Sequence, residues 1–298
     1  MGNRHPTKRV GWHNHLTRWG RRGWIAGPRE SLALFTQRVK LLQEVRANPS
    51  SFSHQAGEIV APKEWEPVLA TLTAKLGLAP DWIVAFYSNR RLKPWYGAMS
   101  WIDTHSTGSP FPLIQLRTQL KRGSYFGYRK EEVLAHEALH ALRSAYPASR
   151  FEEIFACALS DKKWRNFWGG LFRQPRQTTT VLAMLGGVVA LHCAACLGFA
   201  PSWLEAQVEW MALLPATYLG VLAYWLRKDH RLLRCALRRI EHLFECNEGG
   251  MAIAFRLTDG EIEAFARLPA DEIVCYITQQ TSLRWQQLLV QFPLKSVL

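Results

Sequence analysis

The chain has 298 residues, of which 48% are hydrophobic and 20% are charged, and its formal net charge is +13. This length allows one large domain or two modest ones with a real hydrophobic core, and this composition excludes wholesale disorder. The positive charge predicts attraction to anionic surfaces, which means either nucleic acid or acidic lipid.

The first segment, residues 1–28, is basic and rich in tryptophan. It interleaves three tryptophans with three arginines: Trp12, Trp19, Trp24, Arg18, Arg21 and Arg22. Indoles beside guanidinium groups suit an arm that lies at a lipid interface or stacks on nucleic-acid bases. The other interpretation, which we favour, is a juxtamembrane basic segment without a specific ligand.

Two helices and a small sheet are predicted before residue 120. Apolar residues recur at near-helical spacing over 31–47, and a second helix should begin near Pro62, because proline is favoured in a first turn. Three short segments rich in β-branched and aromatic residues then follow, separated by Gly, Pro and Ser: 81–88, 97–103 and 111–118. They indicate about three strands, and therefore an α+β fold.

The next helix carries the motif on which the functional hypothesis depends. In LAHEALHALRSAYP, His136 and His140 are four residues apart, so they share one helix face and can bind a single zinc ion. Glu137 lies at the edge of that face, where it can accept a proton from a zinc-bound water. Pro147 disfavours helical geometry at Tyr146, so the helix should end there. The structural alternative is a helix whose histidines face solvent or bond locally.

A third zinc ligand is expected in the following segment, RFEEIFA. Ser149 and Glu152 have the spacing of a capping box for a new helix, which leaves Glu153 free. In an antiparallel helical pair, Glu153 and His140 would stand at similar heights, because they lie about 6 and 9 Å from the turn. We prefer Glu153 as the third ligand and keep Glu152 in reserve.

The sequence HEALH followed by E-I-F-A resembles the zincin metallopeptidases, particularly the gluzincin-like groups, in which a downstream glutamate completes the site. The resemblance covers little more than residues 80–165. It implies that His136, His140 and Glu153 bind zinc (Zn2+) and that Glu137 is the general base. The fold it implies is a small sheet with an active-site helix and a glutamate helix.

Zincins commonly bind a peptide substrate along a sheet edge beside the active-site helix. The segment 111–118 is our candidate for that edge, and an interior strand is its alternative. An oxyanion donor is also expected, for which Tyr125, Tyr128 and Tyr146 are near in sequence. His105 is either a further polar group of the cleft or a solvated loop residue.

Two uncharged stretches change the expected class of protein. Residues 177–204 are long enough to cross a bilayer, and residues 210–226 are close to the lower limit of about 17 residues. The loop between them carries Glu205 and Glu209. Lysines and arginines lie instead before the first stretch and after the second. The positive-inside bias therefore places both outer flanks in the cytoplasm. The alternative is a buried helical hairpin in a soluble core.

The sequence thus predicts a basic arm (1–28), a zincin-like metallopeptidase domain (29–173), a transmembrane helical hairpin (174–228) and a cytoplasmic helical region (229–298). The leading hypothesis is a zinc endopeptidase of a bacterial inner membrane, with both termini and the catalytic domain in the cytoplasm. Its expected partners are the bilayer and a protein or peptide substrate, rather than nucleic acid. One alternative is a membrane-anchored binding or scaffold protein that contacts anionic lipid or nucleic acid, with a structural metal or none. Another is a pseudo-protease that keeps zinc for structure.

Overall fold

The computed structural model is a mixed α+β structure that describes residues 6–52, 57–105, 108–147, 149–199, 207, 210–211 and 213–295. One hydrophobic core joins the N-terminal helices, the sheet, the motif helix and the C-terminal helices. The region 229–298 therefore packs directly on the part of the chain that carries the H-E-x-x-H motif.

Four helices precede the strand β2 (Val84–Tyr87) along the chain: α1 (Pro6–Arg21), α2 (Leu32–Ala47), α3 (Pro49–Phe52) and α4 (Pro62–Leu76). The two predicted helices, α2 and α4, are confirmed, and Ser31 caps α2 by accepting from the Leu34 amide. The basic N-terminal segment is folded onto the core. Trp24 is buried and stacks on Trp82, with ring centroids 5.0 Å apart, so this indole is not available to a base or a lipid.

The main sheet has four strands in the order β1 (Glu58–Ile59), β2 (Val84–Tyr87), β4 (Pro110–Leu116) and β3 (Ala98–Thr104). Strand β4 runs parallel to β2 and antiparallel to β3. The three predicted strands are therefore confirmed, but the expected sheet edge is wrong. The segment 111–118 contributes the interior strand β4, and β3 is the edge beside the motif helix.

The burial of the two strands explains this difference. Every residue of β4 from Phe111 to Leu116 is buried, and such a continuous buried and mainly apolar run is typical of a strand with neighbours on both sides. Strand β3 is exposed from Trp101 onwards, as an edge strand can be.

A 3-10 turn (Thr118–Arg122) and a small hairpin, β5 (Ser124–Tyr125) and β6 (Tyr128–Arg129), lead into α5 (Lys130–Leu142). The predicted end of this helix at Tyr146 is wrong, since α5 ends four residues earlier. Beyond Leu142 the chain tightens into turns, in which the Tyr146 amide donates to the Arg143 carbonyl at 2.7 Å. The return path is α6 (Glu152–Ala158), α7 (Lys163–Trp168) and a 3-10 turn (Gly169–Leu171).

The remaining helices are α8 (Pro175–Cys196), α9 (Leu213–Leu243), α10 (Gly250–Ala254), α11 (Asp259–Arg267), α12 (Ala270–Thr278) and α13 (Leu283–Gln291). A capping box between Thr258 and Glu261 stands at the start of α11. Helix α9 packs along α11 through a buried stripe that includes Leu233, Ala236 and Ile240.

Helix α8 is long and apolar enough to cross a membrane. Over Arg176–Cys196 its mean hydropathy is 1.8, and only 6% of that window is buried in the protein. Within the described part of the chain, it is the one helix that meets both criteria. Of the second uncharged stretch, residues 213–226 form the N-terminal end of α9 and precede Arg227. Glu205 and Glu209 lie outside the described residues.

Candidate metal centre

Helices α5 and α6 form a hairpin whose facing sides carry the predicted ligands. The Nε2 atoms of His136 and His140 are 3.3 Å apart. Glu153 reaches both, with Oε1 at 3.4 Å from Nε2 of His136 and Oε2 at 3.6 Å from Nε2 of His140. The structure therefore brings His136, His140 and Glu153 together, and all three remain partly open to solvent.

These separations match the donor set of a tetrahedral zinc ion. Ligand atoms about 2.0–2.1 Å from an ion at tetrahedral angles are about 3.3–3.4 Å from one another. The observed 3.3, 3.4 and 3.6 Å lie within a few tenths of an ångström of that value, the last two being measured from the two different oxygens of the Glu153 carboxylate. Two imidazoles and one carboxylate are also the ligand types of a catalytic zinc site, which keeps its fourth position open.

Glu152, the reserve ligand, has a different place. Its Oε1 lies 2.7 Å from Nδ1 of His140, on the side of the ring opposite the three converging atoms. A carboxylate that accepts from Nδ1–H fixes the ring orientation and directs Nε2 towards a metal. Oε2 of Glu152 faces the buried guanidinium of Arg143, at 3.7 Å from Nε.

The capping box predicted from Ser149 and Glu152 is wrong. The Ser149 hydroxyl donates instead to Oδ1 of Asp259 at 2.6 Å, and α6 has no side-chain cap. Asp259 lies at the start of α11 and is 110 residues away in sequence. A long-range partner has therefore replaced the local one, and it ties the glutamate helix to the C-terminal helices.

The segment after α10 also binds Arg143, the second partner of Glu152. The Arg143 guanidinium donates to the carbonyl oxygens of Phe255 and Leu257, just after α10. The Tyr146 hydroxyl donates to the Arg256 carbonyl at 2.9 Å in the same place. The region 229–298 therefore contacts Arg143, which faces Glu152 behind the candidate ligand His140.

The electrostatics of the centre favour a cation. Burial alone would lower the pKa of His140, but hydrogen bonds to Glu152 and Glu153 and the charge of Glu137 outweigh it and raise this pKa to about 10. Burial would raise the pKa of Glu153, yet the two histidines bring it below its usual value. Three carboxylates around two imidazoles leave an excess of negative charge that a divalent ion would neutralise.

Cys157 was not expected in the centre. It lies one turn after Glu153, and its Sγ is 3.7 Å from Oε1 of that residue. His136, Glu153 and Cys157 offer ligand atoms within 4.8 Å of one another. This set is looser than the His136–His140–Glu153 triangle. Burial, with the charge of Glu153, raises the pKa of the thiol, which disfavours the thiolate that binds metals. The i, i+4 spacing from Glu153 was the only signal in the sequence.

Glu137 stands beside the triangle and is held from β3. Its Oε2 accepts a hydrogen bond of 2.7 Å from the Ser100 hydroxyl, which also contacts the Glu137 carbonyl oxygen at 3.0 Å. The edge strand thus fixes one oxygen of the predicted general base. Sequence reasoning missed Ser100, because nothing local links residues 37 apart on a strand and a helix.

A cleft of about 290 Å³ opens in front of His136, Glu137 and Glu153. Its wall is largely aromatic and includes Trp95, Tyr96, Tyr125, Phe126, Tyr128 and Trp164. Gly97 and Ala98, at the start of β3, form part of the same wall. The cleft therefore joins the candidate ligands, the predicted base and the sheet edge.

The three candidate tyrosines differ in their position relative to the cleft. Tyr125 and Tyr128 line the cleft, although the Tyr125 hydroxyl donates to the Pro94 carbonyl at 2.5 Å. Tyr146 is turned towards Arg256 and away from the cleft wall. His105 follows the far end of β3, five residues beyond Ser100, which is about 17 Å of strand.

Neither a family model, nor a curated protein, nor a solved structure matches this chain.

Proposed function

We propose that the chain is a membrane-anchored, zinc-dependent endopeptidase with a zincin-like catalytic domain. The observation that carries the proposal is the triangle of His136, His140 and Glu153, whose donor atoms have the types and separations of a catalytic zinc site. The orientation of His140 by Glu152, the general base beside the triangle and the cleft in front of it add support.

In the proposed reaction, zinc would activate the water and the peptide carbonyl, and Glu137 would transfer protons. Zinc in this position would polarise a peptide carbonyl and lower the pKa of a bound water towards about 7. Glu137 has one oxygen fixed by Ser100, and no described residue donates to the other, Oε1. That oxygen can take a proton from water and later deliver it to the leaving amine, which is general base and then general acid catalysis.

The substrate backbone has a place beside Glu137 on the open edge of β3. The Arg117 amide donates to the Gly97 carbonyl at 2.8 Å before the strand, and the His105 amide donates to the Ser109 carbonyl at 3.0 Å after it. In an antiparallel pair, residues alternate between facing the partner strand and facing away. The backbone groups directed to the open edge belong to Ala98, Ser100, Ile102 and Thr104. A peptide paired with them would pass Glu137, by β-augmentation.

The two apolar helices support an anchor in the cytoplasmic membrane. Large apolar side chains of α8 and of the N-terminal end of α9 are exposed: Leu182, Leu185, Val189, Leu213, Leu214 and Val221. An apolar surface of this kind suits a bilayer, with both flanks in the cytoplasm by the positive-inside bias. We extend the proposal to two spans and to a bacterial inner membrane.

The anchor and the cleft are close together. Gly169 lines the cleft, and a side chain at the next residue, Gly170, would meet Leu226 at 3.4 Å. Leu226 is the last residue of the second uncharged stretch. The cleft would therefore open near the membrane surface, where it suits cytoplasmic or membrane-proximal protein substrates.

Hydrolysis of fluorescein-labelled casein by the detergent-purified full chain tests the proposed activity. Glu137→Gln should lower the rate by about 10²- to 10⁴-fold while zinc stays bound, because only proton transfer is lost. Glu131→Gln makes the same chemical change on α5 outside the cleft wall and should keep the rate. Hydrolysis that survives both Glu137→Gln and a chelator would contradict the proposal. Zinc without hydrolysis would favour the pseudo-protease.

A further inference from the structure

A groove on the outer face of α9 combines positive charge with apolar walls. Arg227, Lys228 and Arg231 line it, and all three side chains are exposed. Tyr224 and Leu232 of α9 and Ala266 of α11 form the apolar part of a space of about 320 Å³. The groove is separate from the metal centre, and none of its lining residues belongs to the cleft.

The three cations of the groove lack a carboxylate partner among the described residues. The nearest acid in sequence, Asp229, is buried on the opposite face of α9 and is held by Arg150 at 2.8 Å and Arg173 at 2.5 Å. Among the described residues, Lys228 contacts a ring, with Nζ 4.8 Å from the centroid of Trp225. Several buried arginines elsewhere do have carboxylate partners, as Arg284 has in Glu261. The groove therefore offers concentrated positive charge to an anion from outside the chain.

The position of the groove along α9 indicates the kind of anion. Arg227 is the first charged residue after the uncharged stretch 210–226. Tyr224 and Trp225 stand just before it and are 64% and 50% exposed, as aromatic residues at a membrane interface are. If α9 leaves the bilayer here, the groove lies at the depth of the lipid headgroups. The phosphates of anionic lipids carry the negative charge at that depth.

We propose that this groove binds an anionic phospholipid of the cytoplasmic leaflet. The phosphate lies between Arg227, Lys228 and Arg231, and an acyl chain follows the apolar side of α9 past Tyr224. Arg227 and Arg231 are one helical turn apart, about 6 Å, which fits one phosphate group. A polynucleotide is a poorer occupant, because the groove continues into an exposed apolar surface. The inference rests on the proposed membrane anchor and is independent of the peptidase chemistry.

Lipid titration of the detergent-solubilised full chain tests the groove, with the thermal unfolding midpoint as the readout. Phosphatidylglycerol should raise the midpoint of the wild type, whereas phosphatidylcholine and inorganic phosphate should not. The variant Arg227→Gln/Lys228→Gln/Arg231→Gln should need at least about tenfold more phosphatidylglycerol for the same shift, because each cation near a charged surface contributes to binding. The matched control is Lys40→Gln/Arg46→Gln/Lys63→Gln, which removes equal charge from exposed residues of α2 and α4 and should respond as the wild type does.

Four results would overturn the groove proposal: an equal response to phosphatidylcholine, an equal response to inorganic phosphate, an unchanged response in the groove variant, or displacement of the lipid by a single-stranded oligonucleotide. Zinc content and casein hydrolysis, measured on the same preparations, show whether the proposed function fails separately. Partition of the wild type into the detergent phase tests the anchor. A chain that partitions there but does not distinguish the two lipids disproves only the groove.

Discussion

Helices α5 and α8 are both rich in apolar residues, but the rest of the chain covers only one of them. Helix α5 buries six apolar side chains against the sheet and the neighbouring helices α4 and α6, and its polar residues meet partners from β3, α6 and α7. Helix α8 buries only 6% of its apolar window in the protein. The apolar side chains of α5 therefore pack inside the protein, whereas those of α8 are suited to a lipid environment.

The packing around α5 suits this helix to hold the candidate ligands His136 and His140. Donor atoms have to be held within about 0.5 Å of a working geometry, and packing on several sides provides this rigidity. On α5, Ser100 holds Glu137, and the pair of Glu152 and Arg143 holds His140. On α8 the single histidine, His192, has its ring nitrogen Nδ1 2.9 Å from the Val188 carbonyl of its own helix, and no other polar contact among the described residues.

The largest expected effect is the difference between the losses in free energy of unfolding that a Leu→Ala substitution causes on α5 and on α8. Leu139→Ala, at a fully buried position of α5, should reduce the free energy of unfolding by about 2–5 kcal/mol, because it leaves a cavity. Leu182→Ala, at a position of α8 that is 57% exposed, should change it by about 0.5 kcal/mol or less. Thermal or denaturant unfolding in detergent measures both. Equal losses would mean that a protein surface covers α8, so that the two helices would not differ in their surroundings.

A smaller effect is expected for the polar partners of α5. Glu152→Gln should weaken zinc affinity by about 10- to 100-fold, because the amide no longer holds His140 in the same tautomer and orientation. Competition with a chelator of known affinity measures it. The control Glu131→Gln, which makes the same chemical change on α5, should leave the affinity unchanged. Complete loss of metal in Glu152→Gln would instead make Glu152 a ligand.

The smallest effect is a change in pH dependence at the first turn of α5. Burial raises the pKa of Glu132, but hydrogen bonds from Ser160 and Arg165 and the charge of Arg165 bring it below the ordinary value of 4.5. A lowered folded-state pKa stabilises the fold above about pH 4.5 and less so as the pH falls through the folded-state value. Glu132→Gln should therefore be less stable than the wild type at pH 7, with a difference that shrinks towards pH 4. A difference that is constant with pH would show that this carboxylate does not contribute through its charge.

Sequence periodicity was enough to predict the elements and the faces of this site. The four-residue spacing placed His136 and His140 on one face of α5, and the short return from Pro147 brought Glu153 opposite them. What it did not reveal were partners set by tertiary packing. Ser149 pairs with Asp259 across 110 residues, and the interior position of β4 depends on which strands flank it. Local patterns do not contain that information, and Ser100 was missed for the same reason.

Zinc content per chain tests the central claim most directly. Elemental analysis of the detergent-purified protein should give about one zinc per chain in the wild type. His136→Ala should lose it, Glu153→Ala should weaken it, and Cys157→Ser should keep it, because the thiol is not among the three ligands. A wild type without zinc after resupply would contradict the account. Retention in His140→Ala together with loss in Cys157→Ser would move the centre to the looser set of His136, Glu153 and Cys157.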